Sequence, residues 1–257
     1  MKNINRRRYV LSYRSLIYLC IFFFLIIISY LLYFNKNNII EISKNIIQSF
    51  SEKFEYQLTK FDISGLEKFE LKFVEEKLQK YMQSSIFLLP LDQINASIKE
   101  NNWVKDIYLN TNYKNTLFIR IEEYKPIGIY FFNEKYFVFD ENGKIIDQIY
   151  ITDFTYQSLL IFMGNSSNLK ANSLINILKN NDFEKKFKIQ SLEFINKRRW
   201  DINLYSDVKL MLSEEDPNKS IQNFIKIQNK LSETDTNNIK IYDLRNLKKT
   251  ILINLND

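Results

Sequence analysis

The sequence predicts an α+β fold: an apolar helix near the N-terminus, a small β-α-α-β-β unit, then a larger, mostly antiparallel β unit with helices. Three observations predict it. No residue from Ser15 to Asn35 is charged, and 16–34 is almost wholly Leu, Ile, Phe and Tyr. Between Tyr56 and Glu123 the apolar period runs from two to about 3.6 and back to two. Beyond Pro126, short period-two runs dominate, broken by two helix-like patterns.

The first element has the length of a membrane span. About 19 residues at ~1.5 Å each reach roughly 28 Å, close to the hydrocarbon thickness of a bilayer. Tyr18, Tyr30 and Tyr33 lie toward its ends, where amphipathic rings sit at headgroup level. Lys2, Arg6, Arg7, Arg8 and Arg14 precede the run and a lone Lys36 follows it, which predicts a cytoplasmic N-terminus. A cleaved signal peptide would have a shorter apolar run ending in small residues. This run instead continues through Tyr30-Leu31-Leu32-Tyr33-Phe34, so an uncleaved anchor is expected.

Charge and composition exclude several functions. The net charge is +6, but five positive charges sit in the tail and the remaining chain nets +1. A nucleic-acid binder needs a basic face on its folded domain, so no nucleic-acid partner is expected. The single cysteine, Cys20, lies inside the apolar run, and histidine is absent. That removes intrachain disulfides, metal sites built on His or Cys, and Ser-His or Cys-His nucleophile pairs. The abundance of Phe, Tyr, Ile, Lys and Asn carries no functional meaning beyond a coding bias. At 46% hydrophobic and 26% charged, the roughly 200 residues beyond the span can build real cores.

The elements follow in order. Residues 1–15 form a basic cytoplasmic tail, 16–34 a transmembrane helix and 35–54 a linker or helical continuation. Residues 56–63 alternate and stop at Ser64-Gly65, a strand. Leu71, Val74, Leu78 and Tyr81 recur at helical spacing, as do Leu91, Ile94 and Ile98 after Pro90. Residues 103–110 are strand-like, and Leu117, Ile119 and Ile121 alternate with Phe118, Arg120 and Glu122 in a strand ended by Lys125-Pro126. The first domain therefore covers 55–126. In the second, 127–257, strands are expected at 129–132, 136–140, 145–146 and 159–163. Further strands are expected at 187–195, 200–205, 208–212, 239–244 and 250–255. Residues 141–144 make a hairpin turn. Leu174, Ile177 and Leu178 suggest a short helix, and Pro217 opens a second one.

Nothing points to catalysis: GxSxG, GxGxxG and a Gly-Lys phosphate loop are all missing. Glu122 and Glu123 are adjacent on a strand and so face opposite ways. Glu214-Glu215-Asp216 precede a helix, where the dipole stabilises acids. Two features suit a protein partner instead. Lys197-Arg198-Arg199 before Trp200 could bind carboxylates, since guanidinium forks do so in two parallel hydrogen bonds. The final strand could be an exposed sheet edge that takes a strand from another protein, though Lys248 and Lys249 could equally serve to blunt that edge.

Six segments in order resemble one family. Phe61-Asp62-Ile63-Ser64-Gly65-Leu66, 115–123, Pro126-Ile127-Gly128-Ile129-Tyr130, 139–145, Arg199-Trp200-Asp201-Ile202-Asn203-Leu204 and Tyr242-Asp243-Leu244-Arg245 are together similar to the bacterial FtsQ/DivIB cell-division family. Lys114, Tyr124, Gly128 and Tyr130 depart from its usual residues. The resemblance implies a POTRA domain over 55–126 and a β domain after it. It implies a non-enzymatic bitopic scaffold of the inner membrane, without cofactor, metal or small-molecule substrate, with its domains periplasmic and enriched at the septum. It implies binding of FtsB- and FtsL-like partners, and a partner list extending to FtsK-, FtsW- and FtsI-like proteins, linking early and late components of septal peptidoglycan synthesis. Carried onto this sequence, Arg198, Arg199 and Arg245 become carboxylate anchors. Leu247, Lys249, Ile251 and Ile253 become the edge that receives the partner strand. The alternative is a POTRA-bearing component of polypeptide transport or envelope assembly, although no barrel strands are visible. A carboxylate-only cell-wall hydrolase is the third class.

Overall fold

The computed structural model describes residues 13–34, 36–68, 70–150, 152–231 and 238–254; most of the basic tail expected at 1–15 lies outside them. The apolar run forms α1 (Tyr13–Phe34) and the polar stretch after it forms α2 (Lys36–Lys53), so the segment expected as a linker or continuation is helical. No single described helix is long and apolar enough by itself to cross a membrane. Taken together, Ser15–Leu31 and Lys36–Lys53, bent by 70°, meet that test by length and composition only.

The β-α-α-β-β order appears as β1 (Lys60–Ser64), α3 (Leu71–Gln79), α4 (Leu91–Lys99), β2 (Val104–Thr111) and β3 (Thr116–Glu123). The three strands lie in the order β1-β3-β2, with β1 parallel to β3 from Lys60 opposite Thr116 to Ser64 opposite Arg120. Of the helical spacing read from the sequence, Val74 and Leu78 on α3 and Ile94 and Ile98 on α4 are buried, whereas Leu71 is exposed and Tyr81 lies past the end of α3. Leu117, Ile119 and Ile121 are buried on β3, as alternation requires. The first strand is shorter than expected. Gln57 makes only an isolated bridge to Ser85, because the chain there runs beside the 82–86 turn instead of along β3.

The second sheet has nine strands: β4 (Gly128–Phe132), β5 (Lys135–Phe139), β6 (Ile145–Ile149), β7 (Ile161–Met163), β8 (Ile189–Ile195), β9 (Arg199–Leu204), β10 (Lys209–Met211), β11 (Ile239–Asp243) and β12 (Ile251–Asn254). Their spatial order is β12-β11-β10-β9-β8-β7-β4-β5-β6. The pairings β10–β11, β7–β8 and β4–β7 are parallel and the rest antiparallel. Three helices complete it: α5 (Ser167–Asn180), α6 (Phe183–Lys186) and α7 (Pro217–Gln228). The helix expected around Leu174 is thus 14 residues long.

Alternation sorts side chains to the two faces of this sheet. Tyr130 and Phe139 join a large core with Phe162, Trp200, Leu174 and Phe224. Their neighbours Ile129 and Val138 join a smaller one with Ile146, Ile149 and Tyr156. The 141–144 hairpin forms as expected: Oδ1 of Asp140 accepts from the backbone N–H of Asn142 (3.0 Å) and Lys144 (2.7 Å). The chain divides into two compact units, 1–64 with 71–97 and 108–120, and 65–70 with 98–107 and 121–257.

Gly65 ends β1 in the left-handed region (φ +84°), and a Cβ there would overlap the carbonyl oxygen of Ile121. Conformational strain and a backbone collision therefore add in Gly65→Ala. A loss of more than ~2 kcal/mol is expected, read as a lower urea midpoint at unchanged m-value.

Candidate functional site

The richest concentration of charge lies where the sheet ends. β9, β10 and β11 bring Asp201, Met211 and Asp243 onto one rung, with Arg199 two residues to one side of it and Lys209 two residues to the other, so the four charged residues share a face. A cleft of about 1100 Å³ opens there, lined by Arg199, Glu214, Glu215, Asp243, Arg245, Leu247, Lys248, Lys249 and Ile251 among others.

The hidden centre of this region is Asp201, whose side chain is 1% exposed. It receives Nε of Arg199 at 3.3 Å and Nζ of Lys209 at 3.1 Å. Arg199 and Asp201 are two apart on one strand and so share a face. Lys209 also reaches Glu193 at 3.4 Å. Burial works against the Lys209 charge, but Asp201 and then Glu193 outweigh it and hold its pKa above the ordinary lysine value.

A second pair repeats the spacing at the end of β11. Arg245 donates from Nε to Oδ1 of Asp243 (2.8 Å) and from Nη2 to Oδ2 (2.6 Å), and its backbone N–H also donates to Oδ1 (3.1 Å). The Arg245 side chain holds the Asp243 carboxyl below the usual carboxylate range, against the opposing effect of burial. The turn that follows is closed by Asn246, whose Oδ1 accepts from the Lys248 N–H at 2.9 Å.

β12 then pairs antiparallel with β11, from Asp243 opposite Ile251 to Ile239 opposite Asn254. It has no second neighbour among the described residues. Its apolar side chains stay open to solvent, Ile251 at 49%, Leu252 at 38% and Ile253 at 37%. An apolar edge strand of this kind has unpaired backbone groups beside uncovered hydrophobic surface, which suits strand addition.

Two family models match the chain. One, described as Cell division protein FtsQ/DivIB, C-terminal, matches residues 130–245, and the other, described as POTRA domain, FtsQ-type, matches residues 57–124. Among curated proteins, the cell division protein FtsQ of Rickettsia bellii is 30% identical over 210 residues, covering 80% of this chain and 74% of that protein. The chain belongs to the FtsQ/DivIB family. FtsQ of Rickettsia typhi is 29% identical over 203 residues, 79% of this chain and 74% of that one. DivIB of Macrococcus caseolyticus is 27% identical over 126 residues, 49% and 42% respectively. The chain is therefore a cell-division protein of the FtsQ/DivIB kind. The C-terminal match stops at Arg245, so β12 lies beyond it.

Within this FtsQ/DivIB chain the seven residues singled out from sequence do not fare alike. Arg199, Arg245, Leu247, Lys249 and Ile251 line the one cleft. Ile253 lies two residues past Ile251 on β12, on the same side of the strand. Arg198 sits in the β8–β9 turn, 63% exposed, with Glu214 a loose 3.8 Å away. Arg199 and Arg245, expected as forks for a partner's carboxylates, already hold carboxylates of their own chain. Asp201, Asp243 and Lys209 were not singled out, although acid and base two apart on a strand was a signal available for the two aspartates. Asp216, expected before a helix, is the cap of α7 and accepts from the Lys219 N–H at 2.8 Å.

Because the Asp243 pKa is lowered in the folded chain, its contribution is complete above the unfolded carboxylate value and fades as pH falls through the folded one. Arg245→Ala should cost at most about 1 kcal/mol at pH 7, since half of Arg245 is solvated. The difference from the parent should shrink below about pH 4. Urea titrations across that range measure it; a pH-independent loss would mean that Arg245 acts through packing.

Proposed function

We propose that this FtsQ/DivIB protein is a non-enzymatic, membrane-anchored scaffold. It receives a strand of an FtsB/FtsL-type partner on β12 and links early and late division components during septal peptidoglycan synthesis. One observation carries the reading: a short apolar edge strand, uncovered on its outer side, stands beside a cleft with basic residues on its rim. Main-chain hydrogen bonds to the edge would supply affinity, and Ile251 and Ile253 on one side would select alternate partner side chains.

The internal ion pairs redistribute the roles. Arg199 and Arg245, held by Asp201 and Asp243, are rigid walls of the cleft. Arg198 and Lys249 are the cations left more available to a partner carboxylate. The anchor in this reading is the apolar run that forms α1; its side chains from Leu16 to Leu31 are mostly exposed Leu, Ile and Phe. Residues 1–15 are then cytoplasmic, 55–126 and 127–257 are the periplasmic domains, and FtsK-, FtsW- and FtsI-like proteins are further partners.

Ile253→Lys puts a charge on the open strand, the usual means of blunting an edge. Arg198→Glu reverses a largely solvated cation and breaks only a loose surface pair, at a stability cost below ~0.5 kcal/mol. Each should weaken copurification of the organism's own FtsB-like protein about tenfold or more while circular dichroism stays unchanged. Full retention by both variants would overturn the interface.

A further inference from the structure

A surface helix normally turns its apolar stripe toward the body that holds it. α2 does the reverse. Its hydrogen bonds to the rest of its unit come from its polar side: Ser51 is buried with its hydroxyl 2.6 Å from that of Ser85, and Oε1 of Gln48 accepts from the Ser85 N–H at 2.9 Å. Its apolar residues Ile39, Ile42, Ile46 and Phe50 follow one another at steps of three and four, so they form one stripe. That stripe is open to solvent, Ile42 at 58%, Ile46 at 64% and Phe50 at 49%. The aromatic rings of Phe54, Tyr56 and Phe87 extend it, with Phe50 to Phe54 at 4.6 Å, Phe50 to Tyr56 at 6.1 Å and Tyr56 to Phe87 at 5.5 Å.

We infer that α2 lies in the membrane interface with this stripe sunk among the lipid acyl chains. The inference rests on reading α1 as the membrane anchor. Three observations choose lipid over a protein partner. α2 follows an exposed apolar helix after a single residue, so both present hydrophobic surface to one medium. The two helices are bent by 70°, so an α1 along the bilayer normal leaves α2 within about 20° of the membrane plane. The charges leave the middle of the stripe clear: at 100° per residue Glu41, Lys44 and Glu52 lie on the opposite side, whereas Lys36 and Lys53, at the two ends of the helix, lie nearer the stripe. Lysines there can lay their stems on the apolar surface and keep their ammonium groups among headgroups. Lys53 already sits 5.7 Å from the Phe54 ring centre. Phe54, Tyr56 and Phe87 then occupy headgroup depth, where aromatic rings are favoured. The result for the fold is a fixed tilt: a helix pinned flat on the bilayer by one face and hydrogen-bonded to Ser85 by another sets how that part of the chain meets the membrane.

The test uses the full chain with Cys20→Ser, carrying single cysteines spin-labelled at Ile42, Asn45, Ile46, Phe50 or Glu52, and at Phe24 in α1. It is reconstituted in phosphatidylcholine/phosphatidylglycerol vesicles. Collision with oxygen, which partitions into lipid, is compared with collision with a water-soluble nickel chelate. The oxygen-to-nickel ratio should be severalfold higher at Ile42, Ile46 and Phe50 than at Asn45 and Glu52, and high at Phe24. A nickel-accessible Ile46 that matches Asn45, with Phe24 still lipid-embedded, overturns the proposal and leaves the anchor standing. A nickel-accessible Phe24 overturns the anchor and the proposal together. Shielding of Ile46 from both reagents, with spin–spin broadening that disappears on dilution, assigns the stripe to a second copy and also overturns the proposal.

Discussion

The pairing of β12 depends on β11, because β11 is the only strand beside it among the described residues. Everything at the C-terminal site therefore rests on what fixes β11. Tyr242 anchors it from within: the residue is fully buried, packs edge-on against Phe224 at 4.9 Å, and its hydroxyl receives Nε2 of Gln228 at 2.7 Å. Phe224 and Gln228 belong to α7, so the helix that makes the β10-to-β11 crossover also clamps the strand it delivers. Beyond Tyr242, the Leu244 N–H donates to Met211 at 2.9 Å, and its carbonyl lies 3.1 Å from the buried Ser220 hydroxyl. A rigid β11 gives a template on which four exposed residues can hold strand geometry. Without it, so short a strand would not repay its ordering entropy.

Electrostatics at this end of the sheet follow from the same rigidity. An isolated Asp201, almost wholly buried, would be far too costly. Two cations from neighbouring strands offset that cost, and in doing so they fix Arg199 at the cleft wall and Lys209 across the sheet. Asp243 does the same for Arg245 on β11. A cation bound by a buried acid is geometrically defined but electrically spent, whereas Arg198 and Lys249 retain solvated charge. A partner approaching this cleft would thus meet shape set by the paired arginines and attraction set by the more solvated Arg198 and Lys249.

Much of the fold could be read from periodicity. Leu117, Ile119 and Ile121 announced a strand, and Pro217 a helix start, because burial alternates with the local geometry that the chain itself imposes. The length of α5 was less legible, since its first turn buries the polar Ser167 and Asn168 and leaves Leu169 exposed, so the apolar pattern does not mark where the helix begins. The parallel pairings were not legible at all. They depend on crossovers such as α7 between β10 and β11 or α5 and α6 between β7 and β8, and no local pattern records which strand a helix returns to. At the site, residue type suggested a free guanidinium fork at Arg199, and the family resemblance suggested one at Arg245. Their acids stood two residues away in plain view, and only the extended backbone turns such neighbours into partners.

The orientation of α2 was beyond sequence reading for a related reason. Its stripe of Ile39, Ile42, Ile46 and Phe50 is a normal amphipathic pattern, and the default is to turn that stripe inward. What reverses it is the hydrogen bonding of Ser51 and Gln48 to Ser85, polar residues that a pattern count assigns to solvent. Once the polar face is committed to the protein, the apolar face has nowhere to go but outward. Exposed apolar surface appears on α2 near the start as well as on β12 at the end, and the physical terms differ. On β12 the backbone is unpaired as well, so the surface calls for another strand. On α2 every interior backbone group is already bonded within the helix, so only the side chains need cover, and a disordered acyl-chain medium can provide it without specific partners. Helix and edge strand thus divide the two kinds of surface by what their backbones leave unsatisfied.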